Sequence, residues 1–339
     1  AFTYDQGRDF LAVSNIIHDK NPVLIGQTTG LGGIFYGPWW YYLLSPIFFL
    51  TQGDPQKVAI VFAFLGPVTL LSLFMFLKII TKNVLLSFEI VMLITMASYW
   101  MVAPTAIWNP SVVPVLTIVF LYVLYKIIEN PTTKSFFILG LICALITDFG
   151  AAFGLVLSTS TILAFMFFYK SLNLKRIGMF FFGAFIVVSP RIIFEFKNSF
   201  LITKNAIYYM SSPKVYGEHL NIYGRIIDRL AHFKEVYELS FSAKNSYLVY
   251  IFLLLALIIT AFALSSKKSR QLLLEDRYLQ FLALILTIMF ALFTIYPDRI
   301  WDYYLIGLPI VIIVVISRLV SYALKVKYTK IGLVATIAI

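Results

Sequence analysis

Residues 58–77 read VAIVFAFLGPVTLLSLFMFL and contain no charged side chain. A helix of about 20 apolar residues is long enough to cross the hydrocarbon core of a bilayer, so this stretch predicts a membrane-spanning helix. Similar apolar runs follow along the chain, at 84–103, 112–125, 136–147, 152–169, 177–194, 247–264, 278–296, 303–323 and 331–339. The pattern predicts an all-α polytopic membrane protein that forms a single domain over residues 1–339.

Composition excludes a soluble protein. Hydrophobic residues make up 60% of the chain and charged residues 13%, whereas soluble domains are roughly 45–50% apolar. The net charge of +11 comes largely from lysines in short loops between apolar runs, which is typical of cytoplasmic loops, so nucleic acid is not an expected partner. The single cysteine, Cys143, lies in an apolar run and excludes a disulfide within the chain.

The run at 34–50 differs from the others because it contains Gly37, Pro38 and Pro46 and places Trp39 beside further aromatic residues. Tryptophan and tyrosine favour the membrane interface. If this run does not cross while every later run does, the basic loops all face one side, which the positive-inside rule makes the cytoplasm. The loop residues concerned are Lys78, Lys82, Lys126, Lys134, Lys170, Lys175, Arg176, Lys267, Lys268, Arg270, Lys325, Lys327 and Lys330.

The same parity gathers the unusual polar segments on the extracytoplasmic side. Residues 1–56 are then a first loop with juxtamembrane helices. Residues 195–246 form a long loop rich in aromatic and basic residues, and loops of this length are commonly functional. We expect either a cap over a lipid headgroup or a solvated connection, with 222–236 as an amphipathic helix.

Residues 4–9 read YDQGRD. In a helix Asp5, Arg8 and Asp9 share one face at i, i+3 and i+4, while Phe10 and Val13 fall on another. This predicts a short amphipathic helix at the interface, ending before Pro22. An ordinary solvated surface turn is the alternative for these residues alone.

Several short motifs together resemble the C-type (GT-C) glycosyltransferases of bacterial and archaeal membranes, within the branch of protein O-mannosyltransferases and the lipid A aminoarabinose transferase. The likeness covers nearly the whole chain, and its first-loop pattern is the most specific part. The motifs are YDQGRD at 4–9, LIG at 24–26, TTG at 28–30, YGP at 36–38, YYLL at 41–44, GDP at 53–55, WNP at 108–110 and DYY at 302–304 with Pro309.

The resemblance implies a GT-C-like helical bundle with extracytoplasmic juxtamembrane helices, here lacking its first helix and part of its last. It implies a multi-pass enzyme of the plasma membrane that transfers a sugar, with inversion, from a polyprenyl-phosphate carrier to a protein, glycan or lipid acceptor. Asp5 matches the catalytic aspartate of the family. Gln6 stands where many members have a second acidic residue, and Tyr36-Gly37 replaces the Glu-Lys pair of the aminoarabinose branch, so a divalent metal is left open.

The chemistry assigns roles to these residues. Transfer from a lipid phosphate needs a base for the acceptor hydroxyl, which we assign to Asp5, and positive charge for the leaving phosphate, for which we expect Arg8. Asp9 is expected to hold Arg8 in place. The other expected substrate-binding residues are Tyr36, Asn109, Asp148, Arg191, Arg299, Tyr303 and Tyr304.

Each binding residue also has a structural alternative. Arg191 has the spacing to pair with Glu195, Asp148 to end a helix, Asn109 to begin a turn, and the two tyrosines to anchor the interface. The three histidines show no metal-ligand spacing, so we expect no metal ligands among them.

Two other function classes fit a polytopic chain. A secondary transporter or flippase for a lipid-linked or anionic substrate would carry ionisable groups near span centres, whereas the charges here cluster at one membrane face. A polymerase or ligase of the polysaccharide pathway would depend on a basic late loop more than on an acidic first one.

Overall fold

The computed structural model describes residues 3–30, 32–95, 97, 99–168, 173–211, 220–241, 271, 274–297 and 299–325. The predicted runs at 247–264 and 331–339, and part of the expected cap, lie outside these residues. The helices are α1 (Tyr4–His18), α2 (Trp39–Leu50), α3 (Pro55–Ala63), α4 (Leu65–Thr81), α5 (Val84–Thr95), α6 (Tyr99–Val102), α7 (Val113–Glu129), α8 (Thr133–Phe149), α9 (Ala151–Phe168), α10 (Leu174–Lys197), α11 (Leu201–Ser211), α12 (Ile222–Phe241), α13 (Arg277–Ile295) and α14 (Leu308–Lys325), with 3-10 turns at Ala103–Ala106, Asn109–Val112 and Asp302–Leu305.

The described part of the chain is an all-α polytopic membrane protein. Five of its helical stretches are long and apolar enough to cross a bilayer: Pro55–Thr81, Asn109–Glu129, Ala151–Phe168, Leu174–Lys197 and Arg277–Ile295. The short run predicted at 136–147 extends at both ends into the 17 residues of α8, which rise about 25 Å. The run at 34–50 yields only the 12 residues of α2, too few to span.

The helices meet at two polar ends. At the first, which we call the aromatic end, the Asn109 side-chain amide donates to the Phe149 carbonyl at 2.7 Å, joining the start of α7 to the end of α8. The Trp108 ring lies edge-on to the Tyr303 ring at 5.3 Å, which adds the turn before α14. The loop of residues 103–112, called the Trp108 loop below, therefore connects several helices at this end.

At the second end, an ion pair between a buried carboxylate and a partly buried arginine joins α4, α13 and α14. Arg318 Nε donates to Asp276 Oδ2 at 2.6 Å, and Tyr322 donates to the same oxygen at 2.7 Å. Arg318 also donates to the Ile80 carbonyl at the end of α4, while Asp276 caps the first turn of α13. Each buried charge thus has a partner, as a low-dielectric interior requires.

Helices α8 and α10 pack against each other through glycines. A Cβ atom on Gly140 would lie 1.9 Å from the Phe180 carbonyl oxygen, and one on Gly183 would lie 2.1 Å from that of Phe137. Small residues of this kind let membrane helices approach closely. Most of the surface of α10 is not covered by other parts of the protein. Only 17% of its most apolar 18-residue stretch is buried, compared with 67% for the helical stretch Asn109–Glu129.

Candidate functional site

The first helix carries an exposed carboxylate beside a buried one. Arg8 bridges the two, because its Nη1 lies 2.9 Å from Asp5 Oδ1 and its Nη2 lies 2.8 Å from Asp9 Oδ1. The side chain of Asp5 is 58% exposed and that of Asp9 only 3%. The shared helix face predicted from the spacing is therefore present, and Asp5 is the carboxylate that an incoming molecule can reach.

Asp9 fixes this helix to α2. Its Oδ2 accepts a hydrogen bond of 2.8 Å from the Trp40 indole nitrogen, and Phe10 and Val13 on α1 are buried. Burial raises the pKa of the Asp9 carboxyl above its ordinary value, and the hydrogen bonds from Arg8 and Trp40 oppose that shift. Asp9 is thus committed to holding Arg8 and Trp40.

The segment just before α2 contacts a second buried carboxylate, Asp148. Asp148 Oδ2 accepts from the backbone nitrogen of Trp39 at 3.4 Å, and Gly37 donates to the same carboxylate through its backbone. Arg191 Nη2 lies 3.2 Å from Asp148 Oδ1. Since Trp40 follows directly in the chain, the Asp5–Asp9 group and the Asp148–Arg191 pair are joined through one short stretch of backbone.

Arg191 is therefore paired with Asp148 rather than with Glu195, which was the alternative from the sequence. Glu195 accepts instead from the Ile202 backbone nitrogen at 2.7 Å and from Thr203, and so caps α11. Arg191 Nε is buried and has no hydrogen-bond partner in the described residues, which leaves one donor of this guanidinium unused.

Gln6 connects α1 to the Trp108 loop. Its side-chain oxygen accepts from the Thr3 backbone nitrogen at 2.9 Å, and its side-chain nitrogen donates to the Ala106 carbonyl. An ionised carboxylate has no hydrogen to donate, so a second acidic residue at this position would lack the bond to Ala106. Gln6 therefore makes a contact that an ionised glutamate or aspartate could not make here.

A cavity of about 350 Å³ opens at the aromatic end. The residues in its wall include Ala106, Trp108, Asp302, Tyr303 and, from α12, Val236. The wall thus contains residues of the Trp108 loop, of the turn before α14 and of the helix expected in the cap. Asp5 is not among the lining residues, and α1 reaches the cavity through the bond from Gln6 to Ala106.

Three of the predicted tyrosines lie close together beside this cavity. The Tyr303 and Tyr304 rings are 4.7 Å apart and perpendicular. Burial, followed by the neighbouring Tyr304, raises the pKa of the Tyr36 phenol, and burial together with Tyr304 and Tyr36 raises that of Tyr303 well above its ordinary value. The Tyr36 and Tyr303 phenols stay protonated at neutral pH and can serve as hydrogen-bond donors.

Of the remaining predicted residues, two lie in the segments around the cavity and two lie beside the start of α2. Asn109 is buried, and its amide nitrogen is used by Phe149. Arg299 is exposed in the segment that leads to the Asp302 turn. Asp148 and Arg191 lie beside Gly37, at the base of α2.

One cluster was missed by the sequence analysis. His232 on α12 lies 2.8 Å from Asp302, and Glu235 brings a third ligand atom within 4.8 Å of the other two. His232 and Glu235 are three residues apart on a helix, a spacing that places them on one face and was visible in the sequence. The approach of Asp302, 70 residues away, was not.

Comparisons of the chain with protein-family models, with curated proteins and with solved structures found no match.

Proposed function

We propose that this protein is an inverting membrane glycosyltransferase that moves a sugar from a polyprenyl-phosphate carrier to a hydroxyl of a protein, glycan or lipid acceptor. The main support is the contact between the helix of the YDQGRD motif and the loop of the WNP motif, through Gln6 and Ala106. The DYY motif contacts the same loop through Trp108 and Tyr303. Two of these motifs thus contribute residues to one cavity, and the third contacts Ala106 in its wall.

Asp5 is the proposed general base. Its carboxylate is exposed and is oriented by Arg8 at 2.9 Å. It takes the proton of the acceptor hydroxyl while the hydroxyl oxygen attacks the anomeric carbon, and the bond from that carbon to the phosphate oxygen breaks. The attack comes from the face opposite the phosphate, so the configuration inverts and polyprenyl phosphate leaves.

Arginines at the aromatic end would stabilise the leaving phosphate. Within the described residues Arg191 Nε has no hydrogen-bond partner, and guanidinium groups match phosphate geometry well. Arg8 and Arg299 complete the set of candidates. The leaving phosphate needs charge and hydrogen bonds more than a proton, and developing negative charge is where preorganised donors stabilise a transition state most strongly.

The cavity suits a sugar headgroup held against aromatic rings. Its volume of about 350 Å³ falls in the range of roughly 300–1,000 Å³ typical of small-molecule sites. Trp108 and Tyr303 offer flat apolar faces, while Asp302 and the Tyr303 hydroxyl offer polar contacts. Asn109 and Asp148 fix the neighbouring backbone. The carrier chain would remain in the bilayer of a bacterial or archaeal plasma membrane.

The base assignment is tested with Asp5→Asn. With the purified chain in detergent and a set of labelled polyprenyl-phosphate sugars, we expect this variant to release polyprenyl phosphate roughly 10²–10⁴-fold more slowly than wild type. The control is Asp19→Asn, which changes an exposed aspartate just after the same helix and should transfer at the wild-type rate. Equal rates for Asp5→Asn and wild type would refute the role of Asp5.

A further inference from the structure

We propose that His232, Glu235 and Asp302 form a binding site for a divalent cation of the Zn²⁺ or Mn²⁺ class, which joins α12 to the turn before α14. The three side chains each offer one ligand atom, and these atoms lie within 4.8 Å of one another. The site depends on these ligands alone and does not require sugar transfer.

The ligand types select the metal. One imidazole and two carboxylates form a mixed nitrogen and oxygen set. This set suits Zn²⁺, which takes imidazole and carboxylate ligands, and it also admits Mn²⁺, which favours oxygen but accepts nitrogen, whereas Ca²⁺ and Mg²⁺ prefer oxygen alone. Bonds of about 2.0–2.2 Å require ligand atoms about 3.3–3.6 Å apart around a tetrahedral ion. The ligand atoms must therefore shift from their present positions to reach these separations. The exposed side chain of Glu235 can make most of this movement by changing its rotamer.

The local charge also favours a cation. Glu235 and Asp302 bring two carboxylate oxygens within 4.8 Å of each other, and like charges at this separation repel. Asp228, the other carboxylate beside His232 at 3.8 Å, is already paired with Arg229, and Arg229 in turn donates to the Phe293 and Tyr296 carbonyls. A divalent ion between Glu235 and Asp302 would neutralise both.

The position gives such an ion a structural effect. Asp302 lines the cavity, and so does Val236 of α12. One ligand therefore belongs to the cavity wall, and the other two lie on the helix that contributes Val236 to it. The side chains of His232 and Asp302 are 23% and 43% exposed, which allows an ion to enter from solvent. The hydrogen bond between His232 and Asp302 already joins α12 to the turn before α14. A bound ion would add a second link between these two elements through Glu235.

The test uses Mn²⁺ and the purified full chain after chelator treatment. Bound Mn²⁺ is counted from the loss of the free-ion signal in electron paramagnetic resonance. We expect one Mn²⁺ per chain, displaced by Zn²⁺, which binds such ligands more tightly. His232→Gln, Asp302→Asn and Glu235→Gln should each weaken Mn²⁺ binding at least about tenfold, while His18→Gln, at an exposed histidine on α1, should bind as wild type does.

Glu235→Gln decides the outcome if the other two variants misfold, because it changes an exposed side chain and leaves the contact between His232 and Asp302 intact. Mn²⁺ should also raise the melting temperature of wild type but not that of Glu235→Gln, since a ligand stabilises only a fold that binds it. A wild-type chain that binds no Mn²⁺, or binding that all three substitutions leave unchanged, would overturn the proposal.

Discussion

Gln6 shows how a single amide joins the motif helix to the rest of the site. It accepts from the Thr3 backbone and donates to the Ala106 carbonyl, so both of its polar atoms are used while the side chain is buried. An amide offers a donor and an acceptor together, whereas an ionised carboxylate of the same length offers acceptors alone. The sequence indicated the helix and its acidic face, but the Ala106 carbonyl, a backbone atom 100 residues away, has no signature in residue types.

Gln6→Glu should weaken the attachment of α1 to the Trp108 loop. Loss of the amide donor leaves a buried carboxylate against the Ala106 carbonyl, and a broken buried hydrogen bond costs about 1–3 kcal/mol. We expect a lower melting temperature in detergent, with faster proteolysis near the N-terminal end. Gln56→Glu, at an exposed glutamine, serves as the control. If both variants melt together with wild type, the link to Ala106 does not stabilise the protein.

Gly37→Ala tests the junction between α2 and α8. A Cβ atom at this position would lie 2.0 Å from Asp148 Oδ1, so the carboxylate or the backbone must move. Such overpacking costs about 1–3 kcal/mol and should disturb the contact between Asp148 and Arg191. Gly30→Ala in the same segment has no heavy atom within 4 Å of the added carbon. Thermal unfolding should separate the two variants, and equal melting temperatures would show that this junction is loose.

At the scale of elements, the pair of α8 and α10 positions Arg191. Both helices follow from apolar runs, which predict a span because each backbone polar group in lipid must be satisfied within its own helix. Which helices neighbour each other is not encoded in hydropathy, so the pairing of Arg191 with Asp148 was not predicted and the local spacing pointed to Glu195 instead. The glycines at 140 and 183 were the usable signal, because they mark where helices can approach closely.

Gly183→Leu should separate α8 from α10. The Phe137 carbonyl lies 2.1 Å from the position of the added Cβ, so the helices must move apart and Arg191 with them. We expect a melting temperature lowered by the equivalent of about 1–3 kcal/mol together with weaker sugar transfer. Gly178→Leu on the same helix meets no atom within 4 Å and should leave both properties unchanged. The contrary result would be equal stability of the two variants.

Across the whole molecule, the polar groups gather at the two ends of the bundle. The motif residues meet at the aromatic end, while the buried Asp276 pairs with the partly buried Arg318 at the other. Hydropathy and the basic loops predicted that the motif residues and the lysine-bearing loops would lie at opposite ends, because basic loops favour the cytoplasmic side of a membrane. The cavity depends on contacts such as the one between Trp108 and Tyr303, which arise only when distant segments fold together.

Labelling of single cysteines tests that arrangement. In a Cys143→Ser background, an impermeant maleimide applied to intact cells should modify Gln56→Cys and Asn198→Cys, which lie toward the aromatic end. It should reach Lys82→Cys and Lys134→Cys only after the membrane is opened, because these lie at the opposite helix ends. Labelling of all four positions from one side would contradict the alternation of the spans.

The central claim is that this single end transfers sugar from a polyprenyl-phosphate carrier with Asp5 as the base. Mass spectrometry of lipid-linked sugars tests it most directly, in cells that lack the gene and carry either the wild-type chain or Asp5→Asn at equal expression. We predict that one polyprenyl-phosphate sugar accumulates without the protein, falls to its normal level with the wild-type chain, and stays high with Asp5→Asn. A normal level with Asp5→Asn, or no accumulation in the deletion, would contradict the account.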